Sequence, residues 1–320
     1  MSRWTGGPGE ASVRANPTRL KKGISFMAAF ASFKTWIAGG VAALALTAPA
    51  LADPTLWHLS DEDSDIYIFG TVHILRPDTE WRTPVVMSAF ESADTVWFEA
   101  PVNDPAEQAN MMPLVQRYGL NPPERPLSSQ ISDEANAALA EIAPLLGATP
   151  AAMEPLRPWL ASVQITVGYA VVEGFDPTSG VEAQLWPEAV AAGKDLQYFE
   201  TVEEQLQFFA NLEREIEVEL LEQTLFQIEE APDALDGLVD AWANGDQETI
   251  DRLMNGEFRD EAPEVYEVLI EQRNEHWADV VEEMMAGSGT VFIAVGAGHL
   301  PGDGGLIDLL QDRGFTVTQE

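Results

Sequence analysis

The sequence predicts an α/β (α+β) fold: a small mixed β-sheet built from N- and C-terminal strands, with a large helical insertion between them. Short apolar runs of strand length stand near both ends of the chain, at residues 57–59, 66–69, 95–98, 291–295 and 315–318. The intervening stretch from 104 to 285 has mostly helical periodicity. Strands at both ends with helices between them favour this fold class over an all-helical or all-β one.

The elements of the first half follow from local patterns. Residues 57–59 and 66–69 are separated by Asp61-Glu62-Asp63-Ser64, a polar segment that favours the turn of a β-hairpin. Residues 95–98 form a third strand. The helical pattern from 104 to 169 is interrupted by prolines.

The second half begins with a helix over 181–192, which is expected to end at Gly193 because glycine suits a helix C-cap. A short strand follows at 196–199, and Thr201-x-x-Glu204 is a capping box that begins the next helix. The remaining predicted elements are helices to 285 with breaks at 232, 244–245 and 263, a strand at 291–295, a helix at 306–312 and a strand at 315–318.

One motif occurs twice, close to the two ends of the predicted domain. Residues 65–75 and 291–300 each contain an apolar strand followed by Gly-x-x-His, and these units hold two of the chain's four histidines, His73 and His299. The glycine is expected to permit a backbone turn that other residues resist. Residues just past strand ends face the ligand crevice of an open α/β sheet. We therefore predict that His73 and His299 converge on one site; the alternative is that they only cap loops.

Glu99 and Glu200 each follow an aromatic strand end directly. With His73 and His299, Glu99 completes a His₂Glu set of the kind that binds zinc in catalytic sites and, more loosely, Mn, Fe or Co. A metal ion held there would lower the pKa of bound water and polarise a carbonyl. Without a metal, the same three side chains could serve as general acid, general base and orienting carboxylate. Either glutamate could instead cap a turn.

Arg273 stands in an apolar i+4 row, whose other members are Val265, Leu269, Trp277 and Val281. Because arginine is rarely buried without a partner, its guanidinium either extends to the rim or contacts Glu99 or Glu200. Asn274 beside it could orient a substrate or ligand. His276 is expected at the surface, and no role is assigned to His58.

Composition excludes some classes of function. Residues 53–320 hold 11 of the 17 Lys and Arg and 52 of the 53 Asp and Glu, a net charge near −41. Such a surface repels phosphate backbones, so no nucleic-acid partner is expected, and it attracts cations. The chain has no cysteine, and therefore no disulfide or thiol chemistry. The alternating glutamates at 213, 215, 217 and 219 are expected on a solvated helix face.

Residues 1–52 have the form of a signal peptide, and Met27 is a possible true start. Lys34 precedes an apolar run at 37–46, and Ala50-x-Ala52 is the small-residue pattern of a cleavage site. The alternative, an uncleaved anchor, is less suited because the run is too short to span a bilayer comfortably. We expect a single domain at 53–320, periplasmic or extracellular, that is not membrane-anchored after cleavage.

The sequence resembles the TraB/GumN family, which is related to the Tiki metalloproteases and more distantly to erythromycin esterases and haem-binding ChaN-like proteins. The resemblance extends over essentially all of residues 53–320; the matching segments begin at Trp57, Phe69, Phe98, Pro155, Gly180, Glu200, Arg273 and Val295. It implies that the paired histidines and the intervening glutamate form the active centre, here His73, Glu99 and His299 with Arg273 as support. Family members often carry Asp where Glu182 stands.

These observations favour an exported metal-dependent hydrolase, a peptidase, acting on a peptide or small ester. His73 and His299 would bind a divalent ion (Mn, Co or Zn), Glu99 would be a ligand or the general base, and Arg273 would stabilise the developing oxyanion. One alternative is a metal-independent, esterase-like hydrolase with the same His/Glu set. Another is a non-catalytic metal- or haem-binding protein. The sequence assigns no role to Glu200, Glu182 or Asn274.

Cleavage after Ala52 can be tested directly. We expect N-terminal sequencing of the exported protein to begin at Asp53, because the small-residue pattern ends there. A mature, membrane-bound form that begins at Met1 or Met27 would contradict both the cleavage and the absence of an anchor.

Overall fold

A computed structural model describes residues 53–231 and 233–320, so the predicted signal peptide and Met27 lie outside the described residues. Within this part of the chain, six strands form one mixed sheet in the order β4-β3-β5-β2-β1-β6. The strands are β1 (Leu56–Ser60), β2 (Ser64–Thr71), β3 (Thr95–Phe98), β4 (Asp195–Tyr198), β5 (Gly289–Gly296) and β6 (Val317–Gln319). The α/β fold expected from the sequence is confirmed. No helix in these residues is both long and apolar enough to cross a membrane.

Helices occupy most of the chain between the strands. In the described residues they are α1 (Pro84–Ser92), α2 (Pro105–Tyr118), α3 (Asp133–Leu145), α4 (Pro150–Met153), α5 (Pro158–Val172), α6 (Val181–Ala192), α7 (Val202–Ala210), α8 (Arg214–Glu230), α9 (Ala234–Ala243), α10 (Gln247–Met254), α11 (Gly256–Glu261), α12 (Pro263–Tyr266), α13 (Gln272–Met285) and α14 (Leu306–Asp312). A π-helical turn, Glu267–Glu271, joins α12 to α13. Helices α2 to α6 are inserted between β3 and β4, and α7 to α13 between β4 and β5.

The pairing of the strands brings four strand ends to one edge of the sheet. β1 is antiparallel to β2, which confirms the predicted hairpin, and β6 is antiparallel to β1. β2, β5, β3 and β4 are parallel neighbours. Because the carboxyl ends of parallel strands meet at the same edge, the residues that follow these four strands share one crevice.

Alternating side chains of the strands form two apolar layers around the sheet. Phe69 and Phe292 face a cluster that includes Trp242, whereas Ile68 and Ile293 face the helix that carries Trp277. This period of two is the expected pattern of a strand that is buried on both faces. A separate helical cluster involves α3, α5 and α8. The sheet is therefore a rigid support for the loops at its carboxyl edge.

Local signals placed several boundaries correctly. The helix α6 ends at Gly193 in the left-handed conformation (φ 70°), and both reciprocal hydrogen bonds of the Thr201–Glu204 capping box are present. The last strand begins at Val317 rather than at 315. Phe315 still donates its backbone N–H to the carbonyl of Leu310 within α14 (Leu306–Asp312), so its N–H is not available to the sheet and the strand begins later.

The expectation that the alternating glutamates of α8 are all solvated is wrong for Glu217. Its side chain is 0% exposed, and it accepts hydrogen bonds from Arg157 Nε (3.2 Å) and Arg214 Nη1 (3.1 Å) as well as from Arg157 Nη2. Helix α8 packs against both α3 and α5, so the side of the helix that carries Glu217 is covered. Two arginines compensate the buried carboxylate, as burial of a charge requires.

Removal of this carboxylate should destabilise the fold. We expect Glu217→Ala to lower the free energy of unfolding by about 3–5 kcal/mol, because two arginines lose their buried partner. The control is Glu215→Ala on the same helix, where the side chain is exposed and the change should be within about 0.5 kcal/mol. Urea unfolding of both variants measures the difference, and equal losses would contradict the structural role of Glu217.

Candidate active site

The two Gly-x-x-His units lie side by side. β2 and β5 pair in parallel with Thr71 opposite Gly296, so the loops that carry His73 and His299 leave the sheet at adjacent positions. A methyl group placed on Gly296 would lie 2.9 Å from Glu99 Oε1, 3.7 Å from His299 Cδ2 and 3.9 Å from His73 Nε2. The predicted convergence of the two histidines and Glu99 is confirmed as geometry.

The glycines of the motif serve a different purpose from the expected turn. Gly296 has φ −52°, which any residue adopts, and Gly70 is likewise absent from the glycines with positive φ in the described chain. A Cβ on Gly296 would lie only 2.9 Å from Glu99 Oε1, closer than a normal contact. A Cβ on Gly70 would lie 3.0 Å from Leu300 Cδ1 and 3.1 Å from Ala297 Cα. Both glycines are needed for close approach, not for backbone freedom.

Arg273 holds the centre together. Its Nε donates to Glu200 Oε1 (2.6 Å), and its Nη2 donates to Glu99 Oε2 (2.6 Å) and Glu200 Oε2 (2.9 Å). Its Nη1 contacts His299 Nε2 (2.9 Å) and the carbonyl of Leu269 (3.1 Å). The prediction that this guanidinium contacts Glu99 or Glu200 is confirmed for both residues.

These contacts use every donor that the guanidinium has. Arginine carries five N–H groups, and each of the five is directed at one of the acceptors on Glu99, Glu200, His299 and Leu269. The Arg273 side chain is only 11% exposed. The oxyanion role expected from the sequence would therefore require one of these hydrogen bonds to break.

The sequence predicted one continuous helix with Arg273 in an apolar i+4 row, but the row is divided among three helical segments. Val265 lies in α12, Leu269 lies in the π-helical turn, and Arg273 lies in the first turn of α13. π-helical turns are frequent at functional sites, and here the turn includes the carbonyl group that accepts from Arg273 Nη1.

Both oxygens of the Glu99 carboxylate accept hydrogen bonds. Oε1 accepts the backbone N–H of Gly296 (2.6 Å), and Oε2 accepts from Arg273 and from Gln205 Nε2 (3.1 Å). Burial is the largest single effect and disfavours the charge, but the Arg273 cation, together with the nearby histidines and the Gly296 N–H, outweighs it and lowers the pKa of Glu99 to about 2. Gln205 also donates to Glu200 (3.1 Å), whose pKa is raised by burial. Sequence reasoning missed Gln205, which faces both carboxylates from α7.

The two motif histidines have opposite electrostatic environments. Burial, together with the Arg273 charge, lowers the pKa of His299 to about 3, so this imidazole is neutral. The side chain of His73 is 68% exposed, and its Nδ1 lies 2.9 Å from Glu182 Oε1. The Glu182 charge raises the pKa of His73 to about 9, so His73 is a cation at neutral pH.

Glu182, to which the sequence assigned no role, is a central member of the site. Its side chain is buried at the start of α6, and Oε1 accepts from both His73 Nδ1 and Thr71 Oγ1. Its only sequence signal was the resemblance to a family that often carries Asp there. Asn274 is fully buried, and its amide contacts His299.

The remaining histidines lie outside the centre. His276 is exposed, as expected. His58 has a structural role: Nε2 lies 2.9 Å from Asp65 Oδ1, and the ring stacks on Tyr67 with centroids 4.5 Å apart. Neither residue contacts His73 or His299.

The predicted metal ligands do not fit a metal ion in this arrangement. Among the described residues, no group of three or more His, Asp or Glu side chains is arranged to hold one. The physical reason is that Arg273 already contacts the His299 Nε2 and Glu99 Oε2 lone pairs. A dication bound there would also lie against a permanent cation. Metal binding stays a prediction.

The fold and the site define an α/β protein with a paired-histidine centre at the carboxyl edge of its sheet. The sequence model of the TraB/PrgY/gumN family matches residues 55–319, and the chain belongs to this family. It is 24% identical over 245 residues to "Uncharacterized protein YbaP" of Escherichia coli (strain K12), a match that covers 77% of this chain and 87% of that protein. The Shigella flexneri protein of the same name matches equally. No solved structure matches this chain.

The loop of His73 is held by close contact with Gly180, at the start of α6. A Cβ on Gly180 would lie 2.1 Å from the carbonyl oxygen of His73. We expect Gly180→Ala to destabilise the protein by about 1–3 kcal/mol, because the backbone must move to relieve the overlap. Gly256→Ala is the control, since an added Cβ there meets nothing within 4 Å. Thermal unfolding of both variants checks this, and an unchanged Gly180→Ala variant would contradict it.

Proposed function

We propose that the protein is a hydrolase of a peptide or small ester and that His73, held by Glu182, is its acid–base group. One observation carries the proposal: His73 Nε2 has no hydrogen-bond partner in the described chain, although it lies only 3.9 Å from the position of a Cβ on Gly296, next to Glu99 and His299. The charged groups of Glu99, Glu200 and Arg273 are already paired with one another. The group that is free to exchange a proton with a substrate is therefore this imidazole nitrogen.

The contact with Glu182 supports this role. A buried carboxylate that accepts the Nδ1–H fixes the ring and its tautomer, and it stabilises the imidazolium that forms when Nε2 gains a proton. In the neutral form, Nε2 would take a proton from water while the water oxygen bonds to the carbonyl carbon of the substrate. The protonated Nε2 would then give that proton to the leaving amine or alcohol as its bond to the carbonyl carbon breaks. One water is consumed, and His73 returns to its starting state.

In this proposal a fixed group of charged side chains lies next to the substrate, formed by Glu99, Glu200 and Arg273. They are buried and hydrogen-bonded to one another, so they reorganise little during a reaction. Glu99 also contributes a nearby negative charge that favours the protonated form of His73. In this proposal Arg273 orients the two carboxylates and does not contact the substrate.

A metal-dependent hydrolase is the second candidate, and one specific observation favours it. The Nδ1 atoms of His73 and His299 lie 2.9 Å and 2.7 Å from side-chain oxygens of Glu182 and Asn274. Histidines that ligate metals usually donate their other ring N–H in this way. The contacts of Arg273 with His299 and Glu99 weigh against this candidate.

We further propose that the protein acts in the periplasm or outside the cell. The support is the signal-like pattern in residues 1–52. Peptides or esters that meet the protein there would be its substrates.

Chelation and substitution together test the proposal. We expect the purified protein to hydrolyse a set of model esters and peptides after chelation and dialysis, because no step uses a metal ion. His73→Ala should lower kcat by about 10²–10⁴-fold, the usual contribution of a general acid–base group. His276→Ala, which removes an exposed histidine away from the centre, should retain full activity.

Two results would change the conclusion. Activity lost on chelation and restored by Mn, Co or Zn would support the second candidate. In that case, His73→Ala and His299→Ala should each abolish metal binding, with the double change little worse. A folded protein that hydrolyses none of these substrates, with or without metal, would contradict the proposal as a hydrolase.

The pH dependence gives an independent test. Because the pKa of His73 is raised to about 9, mainly by the Glu182 charge, its neutral base form is a minor species at pH 7. We expect kcat/KM to increase with pH and to level off above about 9. Glu182→Gln removes the charge, so the rising limb should move toward the ordinary histidine pKa near 6.5. A limb that stays in place in this variant would exclude Glu182 as the residue that sets the protonation of His73.

A further inference from the structure

Asn274 is the residue that sets the hydrogen-bonding state of His299. Its Nδ2 donates to two backbone carbonyls, those of His299 (3.1 Å) and Gly304 (2.8 Å). Carbonyl oxygens only accept, so both N–H groups of the amide are committed and its orientation is determined. The remaining atom, Oδ1, lies 2.7 Å from His299 Nδ1.

The tautomer of His299 follows from this orientation. The amide oxygen can only accept, so Nδ1 must carry the proton. Nε2 then presents a lone pair, and it lies 2.9 Å from Arg273 Nη1, which can only donate. The contacts of both ring nitrogens are therefore consistent with the Nδ1–H tautomer. In the Nε2–H tautomer, the ring N–H would point at the N–H of Arg273 Nη1, and no hydrogen bond could form between them.

We infer that Asn274 is a positioning residue that holds His299 as the Nδ1–H tautomer, so that His299 anchors Arg273 and, through it, Glu99 and Glu200. The surroundings favour this role over proton transfer. His299 is buried against Trp277, with ring centroids 4.4 Å apart, and both of its ring nitrogens are occupied. The inference rests on the proposed function only for its activity readout, since the tautomer exists without a substrate.

The direct test is the imidazole ¹⁵N spectrum of the full protein. The chemical shifts of the two ring nitrogens distinguish a protonated from a bare nitrogen, and with four histidines the signals can be assigned by removing His58, His73 and His276 in turn. The expected result is a neutral His299 with the proton on Nδ1. Wild-type His299 protonated on Nε2 would overturn the inference, whatever the activity of the protein.

Two variants of Asn274 distinguish a role in positioning His299 from a role in filling space. Asn274→Leu keeps similar volume but removes the acceptor, so His299 should lose its Nδ1–H preference, and kcat should decrease by about 10- to 100-fold, as is typical when a partner that orients a site histidine is lost. Asn274→Asp retains an acceptor for Nδ1–H and should keep the tautomer, with activity between the leucine variant and wild type. If Asn274 only fills space, leucine should be tolerated at least as well as aspartate.

Asn255 supplies a matched control. It is also a buried asparagine, and its Nδ2 donates to the carbonyl of Gly298 (2.8 Å), in the same loop as His299. It makes no hydrogen bond to the imidazole. Asn255→Leu should therefore leave the His299 tautomer unchanged even if it lowers stability, and a tautomer change in this variant as well would contradict a specific role for Asn274. Should Asn274→Leu fail to fold, the wild-type and aspartate spectra still decide the matter.

Discussion

The centre depends on one buried cation. A guanidinium removed from water is costly unless each N–H finds an acceptor, and the five acceptors of Arg273 come from four separate parts of the chain. They are the ends of β3 and β4, the π-helical turn, and the loop that follows β5. Any movement of one segment would leave a buried charge partly unpaired, so the cation links the helical insertion to the edge of the sheet.

This cation also explains why two copies of the same motif differ. In both copies a Gly-x-x-His unit follows a parallel strand, but Glu182 faces His73 while Arg273 faces His299. The Glu182 charge raises the pKa of His73 to about 9, whereas burial, together with the Arg273 charge, lowers the pKa of His299 to about 3. Repetition of a motif thus gives similar geometry without giving the same chemistry.

The sequence was sufficient to predict features that depend on neighbours along the chain, such as the C-cap at Gly193 and the capping box at Thr201. It also predicted the convergence of the motif histidines, because parallel strands bring their carboxyl ends together. It could not place Glu182 or Glu217. Their hydrogen-bond partners, such as Thr71 for Glu182 and Arg157 for Glu217, lie far away in sequence, and a glutamate buried with a partner looks the same in the sequence as one on a solvated helix face.

A divalent metal and a guanidinium can both fix two carboxylates, and this similarity explains why the residue set suggested a metal ion. They differ in what remains for a substrate. A catalytic metal keeps an open coordination position, whereas Arg273 has no N–H left to donate. Proton transfer must then come from a group outside the cation's hydrogen bonds. His73 satisfies that condition, because its side chain is exposed and its only side-chain contact of this kind within the described chain is the one between Nδ1 and Glu182, which leaves Nε2 without a partner.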